Sequence, residues 1–384
     1  MSHVFARPTL WRRLRPILLG FDLPLLVVVF ALAGLGMVTM YSVGYDHGTR
    51  FQDHGRNMVL AALLMFAVAQ IPPQRLMALA VPLYTLGVAL LVATALFGIT
   101  RKGATRWLNL GVVIQPSEVL KLAMPLMLAW WFQRREGQLR LLDFVIAGLL
   151  LLVPVALVAK QPDLGTSLLV LSGGLYVIFF AGLSWRLILP VLLLAGLAIT
   201  AIIFSSDALC QPEVAWHGMR DYQKQRVCTL LDPTTDPLGK GFHILQGMIA
   251  IGSGGLTGKG FMSGTQTHLE FIPERTTDFI FAAFCEEFGL VAAAGLLMGF
   301  CVLILRGLWI AAQAPTVFAR LLAGALSLGF FTYAFVNMGM VSGILPVVGI
   351  PLPFISYGGT AMVTLGVSLG MLMSIARSRG LMRR

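Results

Sequence analysis

The sequence predicts an all-α polytopic membrane protein of about ten transmembrane helices, with one large outer loop between the seventh and the eighth. Three observations predict it. Hydrophobic residues make up 57% of the chain and charged ones only 12%, about half the charge share of a soluble domain, and mean hydropathy is +0.84. The apolar residues fall in long blocks, many near the ~20 residues that a helix needs to cross the hydrocarbon layer. Within the blocks apolar and polar positions do not alternate, as the strands of a membrane barrel would require.

Taken in order, the blocks give spans at 21–42, 57–74, 77–98, 115–132, 142–159, 166–183, 187–205, 278–305, 321–342 and 360–376. The first follows Arg7, Arg12, Arg13 and Arg15, a basic leader that superficially resembles a secretion signal. It is too long for a signal's apolar region and no small-x-small site follows it, so it reads as an uncleaved first helix. With the N-terminus inside, the inner segments hold Arg7, Arg12, Arg13, Arg15, Arg75, Arg134, Arg135, Arg140, Arg186, Arg306, Arg320, Arg377, Arg379, Arg383 and Arg384. These fifteen of the 28 basic residues face only Asp22, Glu136 and Asp143 of the 17 acidic ones. The basic bias puts both termini in the cytoplasm. The net charge of +11 then sits on the cytoplasmic face, which suits anionic membrane lipid rather than nucleic acid.

The chain reads as one membrane domain, 1–384, with 206–277 as its large extracytoplasmic loop. A loop of that length is usually functional. Within it GFHILQGMIAI is apolar enough to lie in the membrane interface or dip into it. Cys210 and Cys228 share this loop, 18 residues apart. A disulfide between them is one expectation in an oxidising compartment, though spacing alone fixes no geometry. Cys285 and Cys301 fall in the eighth helix and read as packing residues.

GSGGLTGKG invites a nucleotide-binding reading, which fails. A Walker loop needs Gly where Ser253 stands and Ser or Thr where Gly260 stands. The expectation is a flexible turn whose backbone can approach a ligand. The six histidines form no metal-binding spacing. Gly295 with Gly299, and Gly366 with Gly370, match the small-xxx-small pattern, which internal packing explains as well as a partner helix does.

Most spans lack a charge at their middle, where a coupled transporter usually places one. Charges gather instead at the outer ends of helices. RKGATRW (101–107) puts Arg101, Lys102 and Arg106 in a short outer loop, and QPSEVLK (115–121) places Glu118 and Lys121 three apart on one helix face. Glu118 reads either as a first-turn carboxylate balancing the helix dipole or as part of a site. QPDLGTS (161–167) brings Asp163 to the start of the sixth helix, and FIPERTTDF (271–279) brings Glu274, Arg275 and Asp278 to the start of the eighth. Asp278 is either a helix cap or a base. Cations beside a carboxylate at one membrane surface suit an amphiphilic anionic ligand: cations hold a pyrophosphate, and the carboxylate takes a proton from a hydroxyl.

With these residues in view, the chain resembles the SEDS family of bacterial membrane glycosyltransferases (shape, elongation, division, sporulation), in its rod-shape branch. The motifs are WLNLGVVIQPSEVLKL at 107–122, QPDLGTS at 161–167, IAIGSGGLTGKGFMSGTQTHLEFIPERTTDFIFAAFCEEFGL at 249–290, and NMGMVSGILPVVGIPLPFISYGG at 337–359. The resemblance spans the whole helical core. It implies a peptidoglycan glycosyltransferase that polymerises lipid II at the outer face of the inner membrane during elongation and releases undecaprenyl pyrophosphate. It makes Asp278 the catalytic base for the acceptor's 4-hydroxyl, and Glu118, Lys121, Arg106, Asp163 and Ser356 substrate-binding positions. It further implies a class B penicillin-binding protein (the transpeptidase) packed on the eighth and ninth helices. A divalent cation such as Mg or Mn at the pyrophosphate is compatible with it. A lipid II flippase and a non-catalytic scaffold are the alternatives from other classes.

Overall fold

In the computed structural model the described residues are 21–46, 48–101, 104–109, 111, 113–211, 213–214, 216, 221–235, 239–272 and 274–382. The leader arginines Arg7, Arg12, Arg13 and Arg15, together with Lys102, Arg383 and Arg384, lie outside them, as do both chain ends.

Each of the ten expected spans has its helix. They are α1 (Leu23–Val43), α2 (Arg50–Ala69), α3 (Pro73–Phe97), α4 (Pro116–Arg134), α5 (Leu141–Lys160), α6 (Leu164–Phe180) and α7 (Trp185–Phe204), then α12 (Ile280–Ala312), α13 (Val317–Val341) and α14 (Gly359–Met382). The long loop contributes α8 (Ser206–Leu209), α9 (Asp221–Leu231), α10 (Lys240–Gly254) and α11 (Thr265–His268). Among the described residues seven helices are long and apolar enough to cross a membrane: α1, α3, α5, α7, α12, α13 and α14. Helix α6 is apolar but has 17 residues. Helices α2 and α4 fall short for a different reason, because their starts are polar: Arg50, Asp53, His54 and Arg56 in one, Glu118 and Lys121 in the other. Helix α2 accordingly begins at Arg50, seven residues before the point where hydropathy placed it.

One further expectation is corrected. The charged 101–107 segment is not a plain loop. Ile99–Arg101 (β1), Ala104–Asn109 (β2) and Val113–Ile114 (β3) form a small antiparallel sheet pairing Thr100 with Thr105 and Leu108 with Ile114, since threonine, tryptophan and branched residues fit a pleated surface. The apolar stretch at 241–251 packs on the protein as helix α10, with Ala250 fully buried and Gly247 against the ring of Phe279.

Neighbouring helices pack α2 on α14, α12 on α13 and α3 on α4, with α6 between α4, α5 and α13. The Gly366–Gly370 pair serves the α2–α14 seam, where a Cβ at Gly366 would stand 2.5 Å from the Ala61 carbonyl oxygen. No residue of α7 is buried. Cys285 is buried but Cys301 is exposed, so only the first packs in the core. At the face holding the α1 start, Asp22 caps α1 through Leu25 N (3.1 Å) and takes Arg306 on both oxygens (2.9 and 2.8 Å). Arg134, Arg135 and Arg306 lie over Trp130, Trp131 and Trp309 at 5.4, 4.4 and 3.9 Å. Indoles at that level are characteristic of a membrane boundary.

Candidate active site

The opposite face gathers the C-terminal end of α1, the starts of α2, α4, α6, α12 and α14, and the 206–277 segment. Its scaffold is the irregular stretch 346–352 between α13 and α14. Asn337, near the end of α13, donates from one amide nitrogen to the Asp278 carbonyl (2.9 Å) and to the Ile350 carbonyl (2.8 Å). Those two hydrogen bonds tie the turn before α12 to the scaffold. The Ser356 hydroxyl donates to the Thr277 carbonyl (2.6 Å) and accepts from Leu352 N (2.8 Å), while Tyr357 N donates to the Thr276 carbonyl (2.8 Å). Arg50 reaches from α2 to the Thr276 hydroxyl and lies 5.8 Å over the Tyr357 ring.

These contacts fix the backbone on both sides of Asp278, whose side chain is half-buried. Helix α12 is capped by Phe279 without a side-chain hydrogen bond, so Asp278 stands one residue before the cap position. Gly349 has φ +76°, and a Cβ there would stand 3.3 Å from Asp278 Oδ2. The carboxylate therefore lies against the scaffold where only glycine fits without strain.

Glu118 and Lys121 meet at 2.6 Å, 12% and 8% exposed. Lys121 Nζ also donates to the Tyr333 hydroxyl (3.1 Å), and Thr364 donates to the second Glu118 oxygen at 3.3 Å. Tyr333 and Asn337 are four residues apart on α13, so the ion pair lies one turn, about 6 Å, deeper than the Asn337 contact with Asp278. Asp163 caps α6 through Thr166 N (3.1 Å) and accepts from Gln115 (3.0 Å). Arg106 donates to the Pro162 carbonyl (2.7 Å) and stands 3.9 Å from Asp163.

Two residues differ from their expected roles. Arg275 does not face a ligand. It is 2% exposed and donates to the Val43 and Thr267 carbonyls (3.2 and 2.8 Å) while pairing with Asp46. Ser356 likewise does not present its hydroxyl to the cleft, since it is buried with both a donor and an acceptor engaged.

One residue escaped sequence reasoning altogether. Arg226, on α9 of the long loop, donates from Nη1 to the Val347 carbonyl at 2.9 Å. Burial pulls its guanidinium below the ordinary arginine value, while Tyr222, Arg106, Asp163 and Asp278 all act on its charge. Cys228, two residues on, is joined to Cys210 in a disulfide (S–S 2.09 Å). That cysteine pair was the available signal, because a cross-link through α9 restrains a helix that carries a cation. No group of three or more His, Cys, Asp or Glu side chains converges as a metal site among the described residues. Both Asp163 oxygens accept hydrogen bonds, from Gln115 and from Thr166 N. The arrangement holds one half-buried carboxylate and several cations where a hydroxyl group and an anionic leaving group could be brought together.

Comparison with known proteins gives the same outline. Residues 22–380 match the FtsW/RodA/SpoVE family model, described as cell cycle protein. The chain is 48% identical to peptidoglycan glycosyltransferase MrdB of Escherichia coli (strain K12), over 94% of this chain and 95% of that one. It is 31% identical to peptidoglycan glycosyltransferase RodA of Treponema pallidum (strain Nichols), over 92% and 97%. Among solved structures it matches a chain from work on structural coordination of polymerization and crosslinking by a peptidoglycan synthase complex. That match has a TM-score of 0.77 at 32% identity, covering 94% and 98%. The Thermus thermophilus rod shape determining protein RodA matches with a TM-score of 0.68 at 28% identity, covering 94% and 97%.

Proposed function

The chain belongs to the FtsW/RodA/SpoVE family of cell cycle proteins, and from that premise we propose that it is a peptidoglycan glycosyltransferase of the cytoplasmic membrane, polymerising lipid II into glycan strands at the outer face. The observation that carries the reading is Asp278: a half-buried carboxylate clamped through its own backbone by Asn337, with Arg226 close enough to feel its charge. In this reading Asp278 accepts the proton of the acceptor's GlcNAc 4-hydroxyl as that oxygen attacks the anomeric carbon of the donor's MurNAc, and undecaprenyl pyrophosphate leaves. Glu118 and Lys121 shape the floor of the cavity, Asp163 and Arg106 its α6 side, and Ser356 holds the turn that carries Asp278. A divalent cation at the pyrophosphate would take its ligands chiefly from phosphate oxygens, and no step here runs through it.

The orientation follows from the basic residues: both termini in the cytoplasm, and 206–277 as the extracytoplasmic loop of a single membrane domain. The partner in this reading is a class B penicillin-binding protein whose transmembrane helix lies along α12 and α13. Exposed Leu290, Val291, Leu297 and Met298 on α12, and Phe331 and Phe335 on α13, offer it an apolar surface.

The test is Asp278→Asn in purified protein with its partner in detergent, reading strand formation from lipid II. We expect normal folding and polymerisation lowered ~10²-fold or more, because the amide cannot take the proton. Wild-type strand formation by the folded variant would sink the assignment and favour a flippase or a scaffold.

A further inference from the structure

Arg226 reaches the site from a loop that none of the recognised motifs covers, and its surroundings specify a ligand. Its Nη1 holds the Val347 carbonyl. Two residues on, roughly 7 Å of extended chain, Gly349 abuts the Asp278 carboxylate. From the other side, a Cβ at Gly165, in the first turn of α6, would stand 2.8 Å from the Val348 carbonyl oxygen. The α6 start, with Arg106 bound to Pro162, thus rests on the same three residues of scaffold. Arg106 and Arg226 therefore approach one another across residues 347–349, and their charges repel.

Each guanidinium keeps its Nε buried with no hydrogen-bond partner. Asp163, the nearest carboxylate to Arg106, already accepts from Thr166 N and Gln115. Two like charges brought together beside a carboxylate, each with an unused donor, are costly unless an anion with several oxygens joins them. Planar guanidinium donors match phosphate geometry.

We propose that Arg226 and Arg106 clamp the diphosphate of the donor glycan lipid, with Arg226 a binding residue for the leaving group; the assignment rests on the glycosyltransferase reading. The donor is singled out over the acceptor by covalent geometry. The donor's diphosphate is bonded to the anomeric carbon under attack, so it must lie beside Asp278. The acceptor's diphosphate is a whole disaccharide away from the hydroxyl that Asp278 deprotonates. In the step, the 4-hydroxyl proton passes to Asp278 and its oxygen bonds to the anomeric carbon. The bond from that carbon to the phosphate oxygen breaks with its electron pair, and undecaprenyl pyrophosphate leaves with one more negative charge. The clamp meets that added charge as it develops.

The experiment uses the full chain with its partner in detergent and two probes as inhibitors of strand formation, undecaprenyl pyrophosphate and undecaprenyl monophosphate. Wild type should be inhibited more strongly by the diphosphate. Arg226→Ala should lower kcat and raise the half-inhibitory concentration of the diphosphate about tenfold or more, leaving that of the monophosphate nearly unchanged. Arg226→Lys should recover part of both. A purely structural Arg226 would not erase the preference between the two probes. Should Arg226→Ala fail to fold, Arg226→Gln, which keeps a donor toward Val347, takes its place under the same criteria. A folded variant that discriminates the probes as wild type does overturns the clamp alone. A wild type that forms no strands overturns the function on which the clamp rests.

Discussion

Replacing Lys121 with methionine removes one partner of a nearly buried ion pair and keeps most of the side-chain volume. Glu118 would then be left 12% exposed with only the Thr364 hydroxyl at 3.3 Å. Removing one member of a buried pair costs about 3–5 kcal/mol, chiefly through the stranded charge. The low exposure of both groups leaves little solvent screening to reduce that figure. Glu118→Gln alone should cost less, about 1–3 kcal/mol, because lysine keeps its bond to Tyr333 and the amide oxygen still accepts. The double variant carries no charge at either position and should recover most of the Lys121→Met loss, giving a coupling of about 2 kcal/mol or more in the double-mutant cycle. Reversible unfolding in mixed detergent micelles measures all four species. Additive losses would show that the two charges are held by other groups and would refute the pair as an internal unit. Strand formation by the stable double variant then separates scaffold from substrate contact: near-normal activity makes the pair structural, and loss of activity with stability retained makes it a binding element.

Three further outcomes follow from the geometry. Cysteine labelling from either side of the membrane should find residues 206–277 outside and both termini inside; labelling of position 1 or 384 from outside would overturn the orientation. Protein alkylated without reductant should yield Cys210 and Cys228 as a linked peptide by mass spectrometry, and full alkylation of both would refute the bond seen at 2.09 Å. Gly349→Ala should cost about 1–2 kcal/mol for a side chain at positive φ and lower kcat about tenfold or more by pushing the Asp278 carboxylate 3.3 Å away out of line; unchanged kcat in the folded variant would show that the carboxylate does not need this seat.

The spans were legible because crossing a lipid layer requires long apolar runs, and such runs leave a simple mark. The mark fails where a helix start faces the site. The polar first turns of α2 hid its beginning, since Arg50 finds Thr276 and Tyr357 inside the protein rather than lipid. Asp278, Glu118, Lys121 and Asp163 were legible as charges gathered near helix starts, although Asp163 also caps α6 as such residues commonly do. Arg275 and Ser356 stood in equally suggestive motifs, yet their partners are backbone groups that sequence cannot display: Val43 and Thr267 for the first, Thr277 and Leu352 for the second. Arg226 was illegible for the converse reason. One arginine in a polar loop resembles any solvated charge, and only the placement of α9 beside Val347 sets it apart.

The glycine-rich turn shows how far backbone chemistry can reverse a reading of composition. GSGGLTGKG suggested a flexible backbone open to a ligand, but its close approach is to α12. Gly289 breaks that helix at φ 75° and ψ −175°, which frees carbonyls and N–H groups that a lipid-embedded helix must satisfy internally. The turn supplies the partners: Lys259 N and Gly260 N donate to the Glu286 and Glu287 carbonyls (both 3.0 Å), and Leu290 N and Val291 N donate to Gly255 and Leu256 (2.9 and 3.1 Å). Gly258 permits the contact, since a Cβ there would stand 2.1 Å from the Glu287 oxygen. Lys259 adds an ion pair to the fully buried Glu286 at 2.7 Å, and Glu286 also accepts from Gln266 N and Thr267 N. The last third of the long loop is therefore joined to α12 two to three turns beyond Asp278, while Arg275 ties the preceding turn to α1. The Asp278 turn is thus held from both directions. Helix α7, by contrast, has no buried residue and takes no part in this lock.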